Sequence, residues 1–464
     1  MSKQKSTMVT DLTNGSVTKL LLKFAFPLFV SNALQAIYNI VDMIIVGQYI
    51  GGEGMSAVSI GGDVLHLLTF VAMGFSSAGQ VLISQDVGAK RMDDVRKTIG
   101  TMFTFLLGIS LVISVGCYFI RNLMLDLLNT PIESYAFTMD YTVTCIFGLF
   151  FIYGYNIISA ILRGMGDSRR PFVFIAIAAV VNIVLDLLFV AGLNMEVFGA
   201  ALATVISQGL SFVIALTYLF INKDSFGFDF KPASFKIDPQ AFKKLVALGV
   251  PMAIQSAAIN LSKIVLTSWI NLYGVVFSAL SGLYNKINMM IGIVSQSFTT
   301  AGSTMVGQSL GAKKYDRVPK IMKVVLYSSV LISTVLAAAL FFFSEPIFRM
   351  FTGDEEVLAI ASIVVLPAIL NMYGSATRSV SFSLMNGSGN AKLNFAVAII
   401  DGMISRIGIS ALLGFVVGMG CQGFWYGDAI AGYMPIVIGL IFFLSGRWKK
   451  DKSEQTKLHH NKPL

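Results

Sequence analysis

Twelve stretches of this chain run for some twenty residues or more with almost no charge, and no other feature restricts the fold as severely. A helix rises about 1.5 Å per residue, so such a run crosses the roughly 30 Å hydrocarbon layer of a bilayer. No water reaches the backbone there, and every N–H and C=O must be satisfied within the protein, which an α-helix does alone. The runs lie near 20–47, 57–82, 98–120, 137–162, 171–191, 198–221, 243–269, 275–302, 321–343, 357–380, 393–416 and 423–445. Composition agrees. Of 464 residues, 55% are hydrophobic and only 13% charged, about half the charged fraction of a soluble domain. The expected fold is an all-α integral membrane protein of twelve transmembrane helices.

The charges that remain are sorted by side. Lys and Arg cluster in the N-terminal segment (Lys3, Lys5, Lys19, Lys23), at Lys90, Arg91, Arg96 and Lys97, and at Arg169 and Arg170. They continue from Lys223 to Lys244, from Lys313 to Lys323, at Lys392, and from Arg447 to Lys462. The alternate connections hold mainly Glu53, Glu196, Glu345, Asp354, Glu355 and Glu356, with Arg121 and Arg349. Basic loops stay on the cytoplasmic side, so both termini are expected there, in a multi-pass protein of the plasma (inner) membrane. The same sorting accounts for the net charge of +9 without a nucleic-acid partner. The lipid bilayer is the partner the composition demands, and a monomer is expected. Cys117, Cys145 and Cys421 form no CxxC, and His66, His459 and His460 form no ligand pattern. Neither a cofactor nor a structural metal is called for. The first apolar run follows a polar, lysine-bearing stretch and is long enough to span, so it reads as a retained helix.

The chain also repeats. VGAKRMDDVRK (87–97) returns as LGAKKYDRVPK (310–320), and RGMGDSRRPF (163–172) as NGSGNAKLNF (386–395), both at a shift of 223. Pro27 pairs with Pro251 and Gly199 with Gly423, at 224. Each unit holds six runs, so the two copies share one orientation and relate by an axis along the membrane normal. The expected organisation is a six-helix lobe over 1–221, a linker over 222–242, a second six-helix lobe over 243–446, and a basic tail over 447–464.

Charges inside the apolar runs are costly and so mark function. In the first half Asp42 and Asp186 stand out. Asp186 lies 16 residues past Arg170, about 24 Å from the cytoplasmic edge at the helical rise, and Asp42, nineteen past Lys23, reaches a similar depth. Thr204 enters from the other side to the same outer half. Asn182 stands one turn before Asp186 on the same face. Two carboxylates, an amide oxygen and a hydroxyl are hard ligands suited to a small cation; mutual repulsion and burial suit the same pair to carrying a proton. A hydrogen-bond network joining the three helices is the structural alternative.

The second half lacks this set: Leu266 and Ile409 stand at the repeat positions of Asp42 and Asp186. It has Lys263, Lys286, Asp401, Arg406 and Asp428 instead. Three basic groups disfavour a cation site on Coulomb grounds, and buried ion pairs between helices are expected. Ser31, Gln35, Asn39 and Asp42 form a polar stripe on the first run, with Tyr38 beside it. Gln255, Ser256, Asn260 and Lys263 echo it on the seventh. Gln35, Tyr38, Asn39, Gln255 and Asn260 are thus candidates to line a central substrate cavity.

Taken together, VDMIIVGQ (41–48), the paired GAK-x₂-D motifs, RGMGDSRRP (163–171), NIVLDLLF (182–189) and GAALATVIS (199–207) resemble the multidrug and toxic compound extrusion (MATE) transporters over essentially the whole chain. The resemblance implies a V-shaped pair of six-helix lobes and export of bulky organic, often cationic, molecules in exchange for H⁺ or Na⁺. It implies that Asp42, Asn182, Asp186 and Thr204 form the cation or proton site. Some branches of that family also carry acidic residues on the seventh and tenth spans; Gln255 and Asn371 stand in those stretches here. That favours coupling through the first lobe. A lipid-linked or polysaccharide flippase is the alternative, since Lys263, Lys286 and Arg406 could meet an anionic headgroup. An enzyme is not expected: no HExxH and no nucleophile–base constellation lies within the runs.

Overall fold

The computed structural model describes residues 9–449. Twelve long helices carry the chain: α1 (Val17–Tyr49), α2 (Gly52–Gly88), α3 (Met92–Leu127), α4 (Ile132–Gly164), α5 (Arg169–Gly192) and α6 (Glu196–Ile221). After them come α7 (Pro239–Asn271), α8 (Val275–Gly311), α9 (Arg317–Phe342), α10 (Glu355–Gly387), α11 (Ala391–Val416) and α12 (Cys421–Leu444). Among the described residues there is no β-strand. This is an all-α integral membrane fold.

Eleven of the twelve are long and apolar enough to cross a membrane. The twelfth, α8, has the length at 37 residues, but Asn285, Lys286, Asn288, Gln296 and a run of Ser and Thr dilute its apolar character. Much of that polarity turns inward: Asn288, Ser297, Thr304 and Gln308 are all buried. A helix whose polar groups face protein can sit in a membrane while failing a hydropathy test.

The chain forms two compact units. Of the described residues, one contains 9–12 and Leu22–Ala257, the other Thr13–Leu21 and 258–449. The start of α1 therefore belongs with the second unit, where Lys314 Nζ donates to the Thr13 carbonyl (3.2 Å) and to Asn14 Oδ1 (2.6 Å). The first half of α7 belongs with the first unit. In that unit α4 is the central helix, with 78% of its apolar window buried, packed mainly against α2 and α6. Residues 222–242 dock rather than dangle. Phe228, Phe230 and Phe235 meet edge-on, Phe235 also meets Phe103 of α3 edge-on, and Thr104 Oγ1 donates to the Phe235 carbonyl at 2.5 Å.

The sequence repeat reappears as repeated geometry inside each unit. Lys90 and Lys313 both adopt left-handed backbone, at φ 59° and 57°. The residue after each donates back to Asp86 O (2.9 Å) or Ser309 O (2.8 Å). A β-carbon on Gly164 would meet the Gln80 carbonyl at 2.9 Å, and one on Gly387 would meet the Ser303 carbonyl at 2.8 Å. Without a hydrophobic drive between helices in lipid, such close backbone approach supplies the packing energy. Pro27 and Pro251 both sit inside their helices, each removing one backbone hydrogen bond from the helical ladder.

Candidate cation-coupling site

Asp42 is buried on α1 and Asp186 is fully buried on α5, within electrostatic reach of each other. Asp186 is the last α-helical residue before α5 widens into a π-helical turn, Leu187–Gly192; such turns break the regular ladder and recur at functional positions. The lack of partners around these groups is the telling observation. Both carboxylate oxygens of Asp186, Oδ1 of Asp42, and both polar atoms of Asn182 are buried with no hydrogen-bond partner. A bare carboxylate in a medium this dry is strongly penalised, so such a group takes up a proton or a cation.

The shell around the pair is polar on one side and apolar on the other. Thr204 on α6 is buried and lies close enough to Tyr141 to interact with its hydroxyl, and Tyr141 is also within electrostatic reach of Asp42. Gln208 Nε2 donates to Tyr38 Oη at 3.3 Å. Ile45, Val46, Val58, Cys145, Val190 and Val197 pack into the apolar wall beside them. The structure thus brings Asp42 and Asp186 within electrostatic reach of each other and places Thr204 near Asp42 by way of Tyr141. Sequence reasoning missed Tyr141 and Gln208. Gln208 was findable, one turn beyond Thr204 on the same face; Tyr141 was not, because its place depends on how α4 packs.

The candidate substrate residues divide between the units. Gln35 and Tyr38 are half-buried and Asn39 exposed on α1; Gln255, on the first-unit half of α7, is buried with Nε2 unpartnered. Asn260 is half-buried and belongs to the second unit.

In the second unit Asp401, Arg406 and Asp428 are buried and joined. Arg406 Nη1 donates to Asp428 Oδ1, Arg406 Nη2 lies 3.5 Å from Asp401 Oδ1, and Tyr284 Oη donates to Asp428 Oδ2 at 3.3 Å. Lys263, half-buried, is within electrostatic reach of both carboxylates. Arg378 of α10, which sequence reasoning overlooked, joins them with Nε 3.9 Å from Asp401 Oδ2. Its signal was plain, a lone charge inside an apolar run. Lys286 departs from the expectation of burial. It is exposed, its ammonium 5.5 Å from the centre of the Phe351 ring. Tyr284 and Asn288 lie two residues to either side, about 200° round the helix, and they take the buried face.

A polytopic helical bundle with two repeated units and an intramembrane carboxylate pair is the make-up of a secondary membrane transporter. The family profile MatE matches residues 27–188 and again 251–412, once per repeat, and the chain belongs to the MatE family of multidrug efflux transporters. It is 28% identical over 456 residues to the probable multidrug resistance protein YoeA of Bacillus subtilis, covering 96% of this chain and 97% of that one. Two solved structures share the fold at TM-score 0.89 and 19% identity, covering 97% of this chain and all of theirs. One is a MOP superfamily transporter from Pyrococcus furiosus, the other an outward-facing multidrug resistance MATE family transporter.

Proposed function

We propose that the protein is an antiporter exporting small, bulky organic molecules in exchange for H⁺ or Na⁺ bound at Asp42 and Asp186. The observation that carries this is the pair itself: two buried carboxylates in mutual reach, three of their four oxygens without a partner. In the charged, empty state the pair repels itself in a dry site. One proton or one small cation removes that penalty, with Asn182 and Thr204 as neutral oxygen ligands. A conformational equilibrium shifts only as far as a ligand's affinity differs between its two states, and a self-repelling pair makes that difference large. Ion binding then favours one access state and substrate binding the other. Gln35, Tyr38, Asn39, Gln255 and Asn260 are assigned to substrate contact, in a monomer of the plasma membrane with both termini cytoplasmic. The multidrug names of its relatives support the substrate class.

The test is transport in proteoliposomes with H⁺ and Na⁺ gradients imposed separately. Export of a lipophilic cationic dye should follow one gradient and vanish when that ion alone is equilibrated. Export at an unchanged rate with both gradients collapsed contradicts the reading.

A further inference from the structure

The first unit carries a further carboxylate inside an apolar run, Asp63 on α2, which stands apart from the pair at Asp42 and Asp186. Its height is fixed by a neighbour. A β-carbon on Gly61 would strike the Tyr141 ring, and Tyr141 is within electrostatic reach of Asp42, so this part of α2 lies level with the carboxylate pair. Gly61 is on the packed face. Asp63, two residues on, is about 200° round the helix and exposed. Met55, Ser59, His66 and Met73 are exposed with it, at spacings of one or two helical turns that put them on one stripe. A face turned to lipid looks different: α3 exposes Leu111, Val112, Val115 and Phe119. Hydrocarbon penalises an ionisable side chain, which at this depth turns to a water-filled cavity instead. The α2 stripe is therefore the wetted one. Among the described residues Asp63 has no hydrogen bond or ion pair, and only His66, whose ring meets Phe70 edge-on, lies within electrostatic reach of it. Nor does the fold require an acid there: the repeat position, at the shift of 223, is Lys286, also exposed.

We propose that Asp63 is a specificity-determining residue for export, receiving the cationic group of a lipophilic organic substrate on the wetted face of α2. The inference rests on the export reading above and names the charge which that export selects. An unpartnered carboxylate in a cavity of low dielectric attracts a cation more strongly than one in bulk water. Met55 and Met73 on the same stripe are flexible and polarizable, and suit the apolar bodies of differently shaped molecules. Asp63 thus acts on substrate, while Asp42 and Asp186, on other helices and facing inward, act on the coupling ion.

The experiment is equilibrium binding to the purified full-length chain in lipid nanodiscs, with no ion gradient and with uptake by empty nanodiscs subtracted. Two radiolabelled probes of nearly the same size and shape are compared, the cation tetraphenylphosphonium and the anion tetraphenylborate. Wild-type protein should bind the phosphonium more tightly. Asp63→Asn should weaken that binding by about tenfold, the scale of one charge pair in a partly wet site, and Asp63→Glu should keep it. Asp63→Lys should reverse the preference between the two ions, which a merely structural role for Asp63 would not do. Because Asp63 is exposed and holds no neighbour in place, the midpoint of thermal unfolding should stay the same in all three variants, and this separates lost recognition from lost folding. Phosphonium binding that is equal in wild-type protein and Asp63→Asn overturns the inference and leaves the export reading standing. So does an unchanged preference in Asp63→Lys. Wild-type protein that binds neither probe contradicts the export reading and this inference together.

Discussion

The two halves of this protein repeat one fold and treat buried charge in opposite ways. In the first unit two carboxylates share a dry site, and most of their oxygens meet nothing. In the second, two carboxylates form ion pairs with Arg378 and Arg406, and Tyr284 donates to one of them. The backbone differs at the same places. α5 widens into a π-helical turn directly after Asp186. α11 has a comparable turn at Leu412–Val416 and a second one, Ile400–Ser405, which carries Asp401 and delivers Arg406 at its end. An unpaired carboxylate responds to proton or cation concentration, because either species changes its energy greatly. A carboxylate held by guanidinium does not, since arginine stays charged at any physiological pH. On the antiport reading proposed above, one half senses an ion and the other stays fixed.

The largest break in that contrast comes from Asp186→Asn or Asp42→Asn. Each removes one charge at constant shape and should drop gradient-driven dye export at least about 100-fold, because a site that no longer distinguishes two states cannot shift them. Initial export rates in proteoliposomes check this. Arg406→Gln should leave export chemistry alone and strike stability, by about 3–5 kcal/mol, since it strands two buried carboxylates. Thermal unfolding of the detergent-solubilised protein reads that loss. Smaller, and equal in the two halves, should be the cost of Gly164→Ala and Gly387→Ala. Each forces a methyl group against a carbonyl at 2.8–2.9 Å, at about 1–3 kcal/mol. Unequal costs would show that packing, not only charge, differs between the repeats. Least of all should be Lys286→Gln, within about 0.5 kcal/mol as for an exposed side chain; a larger loss in the same assay would place Lys286 in the network after all.

Much of this was legible in the chain. Apolar runs of membrane length fix helices because nothing else satisfies a backbone in hydrocarbon. Counting residues along a helix gave the shared depth of Asp42 and Asp186. Depth, however, is only one of two coordinates. Lys286 has an intramembrane position in sequence and an exposed side chain in the structure, because the rotation of α8 is set by Tyr284 and Asn288 packing inward. Arg378 needed only consistent use of the rule that a charge in an apolar run means something. The partners of the carboxylate pair were not readable. Tyr141 reaches Thr204 across a helix interface, and no local pattern encodes that meeting. The same holds for Thr13–Leu21, assigned to the second unit through the Lys314 and Arg317 contacts some 300 residues away.

On the proposed mechanism, ion coupling resides in one half alone. Asp186→Asn and Asp401→Asn should be compared in one preparation of proteoliposomes, measuring dye export against the concentration of the driving ion and normalising to inserted protein. Asp186→Asn should lose ion-dependent export, and Asp401→Asn should keep the wild-type ion dependence, whatever its yield. Ion-driven export surviving in Asp186→Asn, with a displaced ion dependence in Asp401→Asn, would contradict it.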